Sequence, residues 1–295
     1  MVSVNWRYWR NLSLCALVLV ITSACATLAW IGYQGATLYL HPARAARAAA
    51  DTPARLGINY QDITLLTQDG LKLSAWYTPP KNGAIILAAH GYGNRRSAEL
   101  HALLARPGYG VISWDARAHG DSAGQLCTLS FYETWDVEAA LAFTVGQPGV
   151  RHIGALGQSM GAATLIKTAA RRAEIESVVA DSSFPTIEDM LQRVVPFPLV
   201  QPFVRFFIER ETGLSASAVR PVDDIRHISP RPVLILQGAD DTVIPPNSAQ
   251  RLYQAAGEPR TLWIEPGVGH VEMFTAHPQA YSQQVIPFFD RYVLR

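Results

Sequence analysis

Six short apolar runs constrain this chain more than any other feature: AIILAAHG (84–91), GVISWD (110–115), HIGALGQS (152–159), SVVADSS (177–183), PVLILQG (232–238) and RTLWIEPG (260–267). Each is nearly continuous rather than alternating, as a strand buried on both faces must be. Segments of helical length follow or separate them, over residues 97–106, 131–145, 160–173, 247–256 and 275–293. Strand and helix in alternation predict a mostly parallel sheet with helices on both faces, because parallel neighbours need a crossover and the crossover covers a face. Ahead of the runs, YQDITLLT (60–67) and LKLSAWYTP (71–79) flank Asp69-Gly70, a turn pair, and read as an opening hairpin. The sum is an α/β domain with an eight-stranded sheet, predicted over residues 56–295. Ligands in such sheets bind at the carboxyl ends of strands, so the loops after the runs are where chemistry is expected.

One of those loops carries a constraint of its own. In LGQSMGA, residues 156–162, Gly157 and Gly161 stand two places either side of Ser159. Glycine loses the most backbone entropy on ordering, so the symmetric pair needs a steric reason. A strand runs straight into Ser159, and MGAATLIKTAARR after it has the small residues and helix formers of a packed helix. A serine at the tip of a sharp strand-to-helix turn is held in a strained conformation, and a side chain two residues away on either side would strike the neighbouring element. Such a turn presents the serine oxygen beside a helix N-terminus, where backbone N–H groups favour negative charge.

A serine hydroxyl is a weak nucleophile until a base takes its proton and an acid orients the base. Both are expected after later strands. GADDTVIPP offers Asp240 and Asp241, and EPGVGHVEMF offers His270. The order Ser159, Asp241, His270 fits, with Asp240 as a turn residue. The glycine-rich turn HGYGNRR (90–96) can aim the N–H of Tyr92 at the oxygen of a substrate carbonyl, with the N–H of Met160 as the second donor. His90 reads as fixing its loop by a hydrogen bond, and Asp115, Arg117 and His119 in WDARAHGDSAG as tying loops together.

With those residues in place, the chain resembles the α/β-hydrolase superfamily from about Leu56 onward. The likeness is carried by HGYG, DARAHGDSAG, GQSMG, GADDTVIP and GVGH after successive strands. In detail it looks like the membrane-associated, serine-aminopeptidase-like serine hydrolases. The resemblance implies that Ser159, Asp241 and His270 form a triad and that Tyr92 and Met160 supply the oxyanion hole. It implies esterase, thioesterase, lysophospholipase or, less often, peptidase activity on a small acyl-ester or lipid-like substrate, without a cofactor; an acyltransferase using the same triad, or a hydrolase-fold module that binds without catalysis, are the alternatives.

The N-terminal segment differs in kind. No charged side chain interrupts residues 11–39, Arg7 and Arg10 precede that run, and Trp6, Tyr8, Trp9, Trp30 and Tyr33 flank it. About 20 apolar residues span a bilayer as a helix, with aromatics favoured at both interfaces. Residues 1–40 are therefore expected to be an uncleaved membrane anchor; a signal peptide cut near Ala24-Cys25-Ala26, or a lipid-bearing Cys25, are the competing readings. Residues 41–55 read as a linker, and the body is expected outside the cytoplasm. A formal charge of +1 with scattered basic residues excludes a nucleic-acid footprint. Only Cys127 of three cysteines lies in the body, so no disulfide forms within it. No metal motif appears, and GYGNRR lacks the third glycine and the lysine of a nucleotide loop. Residues 185–230, rich in Phe, Val and Pro, are too long for a simple crossover; they read either as helices packed on the sheet or as a lid facing lipid.

Overall fold

A computed structural model describes residues 6–46, 48, 50–244 and 247–294; Arg47, Ala49, Pro245 and Pro246 of the segments read above lie outside the described residues. The chain opens with one long helix, α1 (Trp6–Leu40). The hairpin follows as β1 (Gln61–Leu66) and β2 (Lys72–Thr78), antiparallel, with Leu66 opposite Lys72 across the Asp69-Gly70 turn. Then come β3 (Ala84–Ala89), α2 (Ala98–Ala105), β4 (Gly110–Trp114), α3 (Glu133–Val145), β5 (His152–Gln158), α4 (Met160–Ala169) and β6 (Ser177–Asp181). The interval from there to β7 carries α5 (Ile187–Val194), α6 (Gln201–Thr212) and α7 (Pro221–Asp224). The chain closes with β7 (Val233–Gly238), α8 (Ser248–Ala255), β8 (Arg260–Glu265), α9 (Met273–Ala276) and α10 (Pro278–Val293).

The strands form a single eight-stranded sheet in the order β1-β2-β4-β3-β5-β6-β7-β8. Every pairing from β4 onward is parallel, and only β1–β2 and β2–β4 are antiparallel. The period-2 pleat sends alternate residues of one strand to opposite faces. Ile85 and Leu87 of β3, with Ile235 of β7, meet Val137, Leu141, Leu165 and Leu252 of α3, α4 and α8. Ile86, Leu234 and Leu236 face the other way and meet Leu100, Leu104, Val285 and Phe289 of α2 and α10. Both faces are thus covered, which is why these strands are apolar at every position.

A third apolar cluster differs from these two. It includes Met160 and Phe184 at the carboxyl ends of β5 and β6, Ile187 and Leu191 of α5, Val204 and Ile208 of α6, and Ala36, Tyr39 and Leu40 of α1. Helix α1 divides accordingly. From Trp6 to Thr27 every residue is exposed, whereas Leu28, Gly32, Ala36, Tyr39 and Leu40 turn a helical stripe towards the body. A Cβ on Gly32 would lie 2.4 Å from the Cβ of Phe203, so α1 and α6 approach as closely as they do because that side chain is missing. The segment after α1, read as a linker, is bonded to the body: Arg44 donates to the carbonyls of Gly120 at 2.9 Å and Gly124 at 2.7 Å, and the ring of His41 pairs with Glu211 at 2.7 Å.

Candidate active site

Ser159 sits between β5 and α4 at φ +52° and ψ −116°, a region L-residues avoid, and its N–H donates to the carbonyl of Asp181 at 2.8 Å. The glycine pair is explained on both sides. A Cβ on Gly157 would lie 2.5 Å from the backbone of Gly161 and Ala162, and one on Gly161 would lie 2.5 Å from the carbonyl oxygen of Ala89. Backbone cannot yield to such an intrusion without moving the strand or the helix. Gly161→Ala is therefore expected to lower stability by about 1–3 kcal/mol through overpacking. It should also lower any turnover that depends on Ser159 on the order of 100-fold by displacing it. Thermal unfolding and turnover of one purified variant check both.

The structure brings Asp241 and His270 to this serine. Nε2 of His270 is 2.9 Å from Oγ of Ser159, and Nδ1 of His270 is 2.7 Å from Oδ2 of Asp241. The other carboxylate oxygen of Asp241 accepts from the N–H groups of Val243 and Ile244, both at 2.8 Å. The carboxylate is fully buried and every direction of it is held. Asp240, its neighbour, is exposed and takes no part. His270 lies in the loop between β8 and α9, and Val271 after it is held at φ +59° with its N–H on the Ser182 hydroxyl, 3.2 Å away. A β-branched residue in that conformation persists only where its surroundings fix it.

The loop after β3 lies against the serine: Gly91 is so close that a Cβ there would stand 3.1 Å from the Cβ of Ser159. Among the described residues, no acceptor takes the N–H of Tyr92 or of Met160, and both residues border the cavity into which Ser159 and His270 open. The loop is pinned reciprocally to the one after β4. His90 accepts from the N–H of Ala116 at 2.9 Å, and His119 accepts from the N–H of Gly93 at 3.0 Å. Their other ring nitrogens donate to the carbonyls of Gly91 and Arg117. Burial, and then each other's proximity, push His90 down to about 4, and burial lowers His119, so both stay neutral and able to accept. Asp115 accepts from the N–H groups of Arg96 at 2.9 Å and Asp121 at 2.8 Å, and Arg117 pairs with Asp136 at 2.7 Å. All four residues hold loops together.

Sequence reasoning missed a supporting residue, Asp181, which the sequence shows only as the end of an apolar run. Its carboxyl lies beneath the site, accepting from the Ser182 hydroxyl at 3.0 Å and the Tyr281 hydroxyl at 3.3 Å. Burial raises it to about 6 despite those donors. The cavity was equally hidden. It measures about 460 Å³, with Ser159 and His270 at one end and Leu129, Phe184, Met190, Val194 and Val195 along its walls. Gly35, Leu38 and Tyr39 of α1 complete it. No carboxylate belongs to its described lining. Among the described residues no group of three or more His, Cys, Asp or Glu side chains converges as metal ligands.

The fold has a counterpart in an esterase of Pyrococcus furiosus. Its structure superposes with a TM-score of 0.73 at 25% identity, over 85% of this chain and 99% of the esterase. Residues 80–212 match the family model described as serine aminopeptidase, S33. The chain has the α/β-hydrolase fold. An uncharacterized protein of Mycobacterium tuberculosis is 28% identical over 88% of both chains. An α/β-hydrolase domain-containing protein of Arabidopsis thaliana is 26% identical over 82% of both. An uncharacterized membrane protein of Saccharomyces cerevisiae is 27% identical over 81% of this chain and 82% of its own.

Proposed function

We propose that this protein of the α/β-hydrolase fold is a membrane-anchored serine hydrolase that cleaves carboxylic ester or thioester bonds through an acyl-enzyme on Ser159. The observation that carries the reading is the unbroken hydrogen-bonded line from Asp241 through His270 to Ser159, ending in an apolar cavity. Nε2 of His270 takes the proton as Oγ attacks the acyl carbon, and the same proton goes to the leaving alcohol or thiol as its bond breaks. Asp241 keeps Nδ1 protonated and steadies the imidazolium. The N–H groups of Tyr92 and Met160 receive the negative oxygen of the tetrahedral intermediate. Water, activated by His270, then releases the acid and restores Ser159.

An apolar cavity without a carboxylate in its described lining favours an acyl chain over a peptide with a free amine, whose ammonium would need a counter-charge. The anchor reading is supported by α1, whose apolar stretch of mean hydropathy 2.3 is long enough to cross a membrane, and by the yeast relative. Arg7 and Arg10 precede the helix and Arg44 and Arg47 follow it; in this reading the first pair is cytoplasmic and the body lies outside the cytoplasm.

Treating membranes that contain the full-length protein with a tagged fluorophosphonate tests the reading. Labelling is expected on Ser159 alone and is lost in Ser159→Ala. A folded protein that takes no label would overturn the assignment.

A further inference from the structure

Helix α1 does more at the site than a tether requires. The hydroxyl of Tyr92, the residue whose N–H borders the serine, donates to the carbonyl of Leu38, and the N–H of Cys127 donates to the carbonyl of Leu40 at 2.8 Å. The hydroxyl of Tyr39, a cavity-lining residue, is buried and has no partner among the described residues.

The exposed part of α1 that carries no charge, residues 11–27, is about 26 Å long as a helix, a little less than the roughly 30 Å hydrocarbon core of a bilayer. Packing against the body begins at Leu28, so with residues 11–27 in a bilayer the body would rest on the membrane surface. Helix α6 runs parallel to α1, with Phe203 against Gly32 and Glu211 bonded to His41. The segment leading into α6 therefore points back towards the bilayer, and it carries Phe197 and Leu199, 66% and 73% exposed. The cavity rim is built the same way: Leu38, Val194 and Val243 line the cavity and are 75%, 53% and 40% exposed. An apolar rim continuous with an apolar membrane span faces lipid.

We infer that α1 is one wall of a substrate site that draws its substrate from the adjoining leaflet. The substrate is an amphiphilic carboxylic ester with a single long acyl chain. That chain lies between Gly35 and Leu38 of α1 and Met190 and Val194 of α5, and the ester reaches Ser159. This inference rests on the reading of Ser159 as the nucleophile.

The test uses the full chain in phosphatidylcholine vesicles with two esters of one leaving group, p-nitrophenyl butyrate in the aqueous phase and p-nitrophenyl palmitate dissolved in the bilayer. The double variant F197D/L199D is expected to lower kcat/KM for the palmitate about tenfold or more while butyrate hydrolysis changes by less than about twofold. Gly35→Leu narrows the cavity and should move the optimum along a series of p-nitrophenyl esters to shorter chains. An unchanged palmitate-to-butyrate ratio in F197D/L199D, with an unchanged optimum in Gly35→Leu, would overturn the inference while leaving the serine hydrolase standing. If Gly35→Leu loses all activity by misfolding, the exposed pair decides. A wild-type protein that hydrolyses neither ester and takes no fluorophosphonate overturns both readings.

Discussion

Replacing Ser159 by alanine is expected to lower ester hydrolysis by about 10⁴-fold or more, with the fold intact. The side chain is one oxygen smaller, its N–H still donates to the carbonyl of Asp181, and the turn remains held by the glycines on either side. Asp241→Asn is expected to cost about 10⁴-fold in turnover as well, for a different reason. An amide in place of the carboxylate can donate to Nδ1 of His270, which favours the tautomer that presents N–H to Ser159 and cannot take its proton. Circular dichroism and turnover of an accessible p-nitrophenyl ester, measured on both variants, check the pair. If Ser159→Ala turned over at the wild-type rate, the serine would not be the nucleophile.

The second large effect concerns α1. Removing residues 1–27 is expected to leave a folded body that still hydrolyses short soluble esters, because Trp6–Thr27 is exposed throughout. Extending the deletion to residue 40 removes Ala36, Tyr39 and Leu40 from the third apolar cluster. Fully burying a large apolar side chain contributes roughly 1.5–3 kcal/mol. With the carbonyls that Tyr92 and Cys127 bond also gone, a loss of about 5 kcal/mol or more is expected, against a total of roughly 5–15. The longer deletion should therefore unfold or aggregate near room temperature and take no fluorophosphonate, which thermal melts and labelling of the two proteins compare directly. Equal stability of the two would mean that residues 28–40 pack without consequence.

Residues 185–230 divide between two settings. Helix α7 packs near α4 and α8 under the rim, contributing Val222 to the edge of the first cluster, as an ordinary crossover would. Helices α5 and α6 pack with α1 over the carboxyl ends of β5 and β6, and α5 and α1 line the cavity. A stretch of Phe, Val and Pro reads the same in either setting, since burial against a sheet and burial against another helix demand the same side chains.

What the sequence by itself determined is what depends on neighbours along the chain. Continuous apolar runs meant strands covered on both faces, Asp69-Gly70 meant a hairpin, and glycines at positions 157 and 161 meant a serine at a sharp turn. Asp241 and His270 were legible because each follows a strand, and all parallel strands end on one side of the sheet. Only the tertiary structure decided the strand order that sets β3 between β4 and β5, the carboxyl of Asp181 beneath His270, and the use of the last turns of α1 as a cavity wall. These depend on contacts between residues far apart in the chain, such as Tyr92 with Leu38 and Phe203 with Gly32. An apolar helix face has the same composition whether lipid or protein covers it, so nothing in residues 28–40 marked them as part of the body.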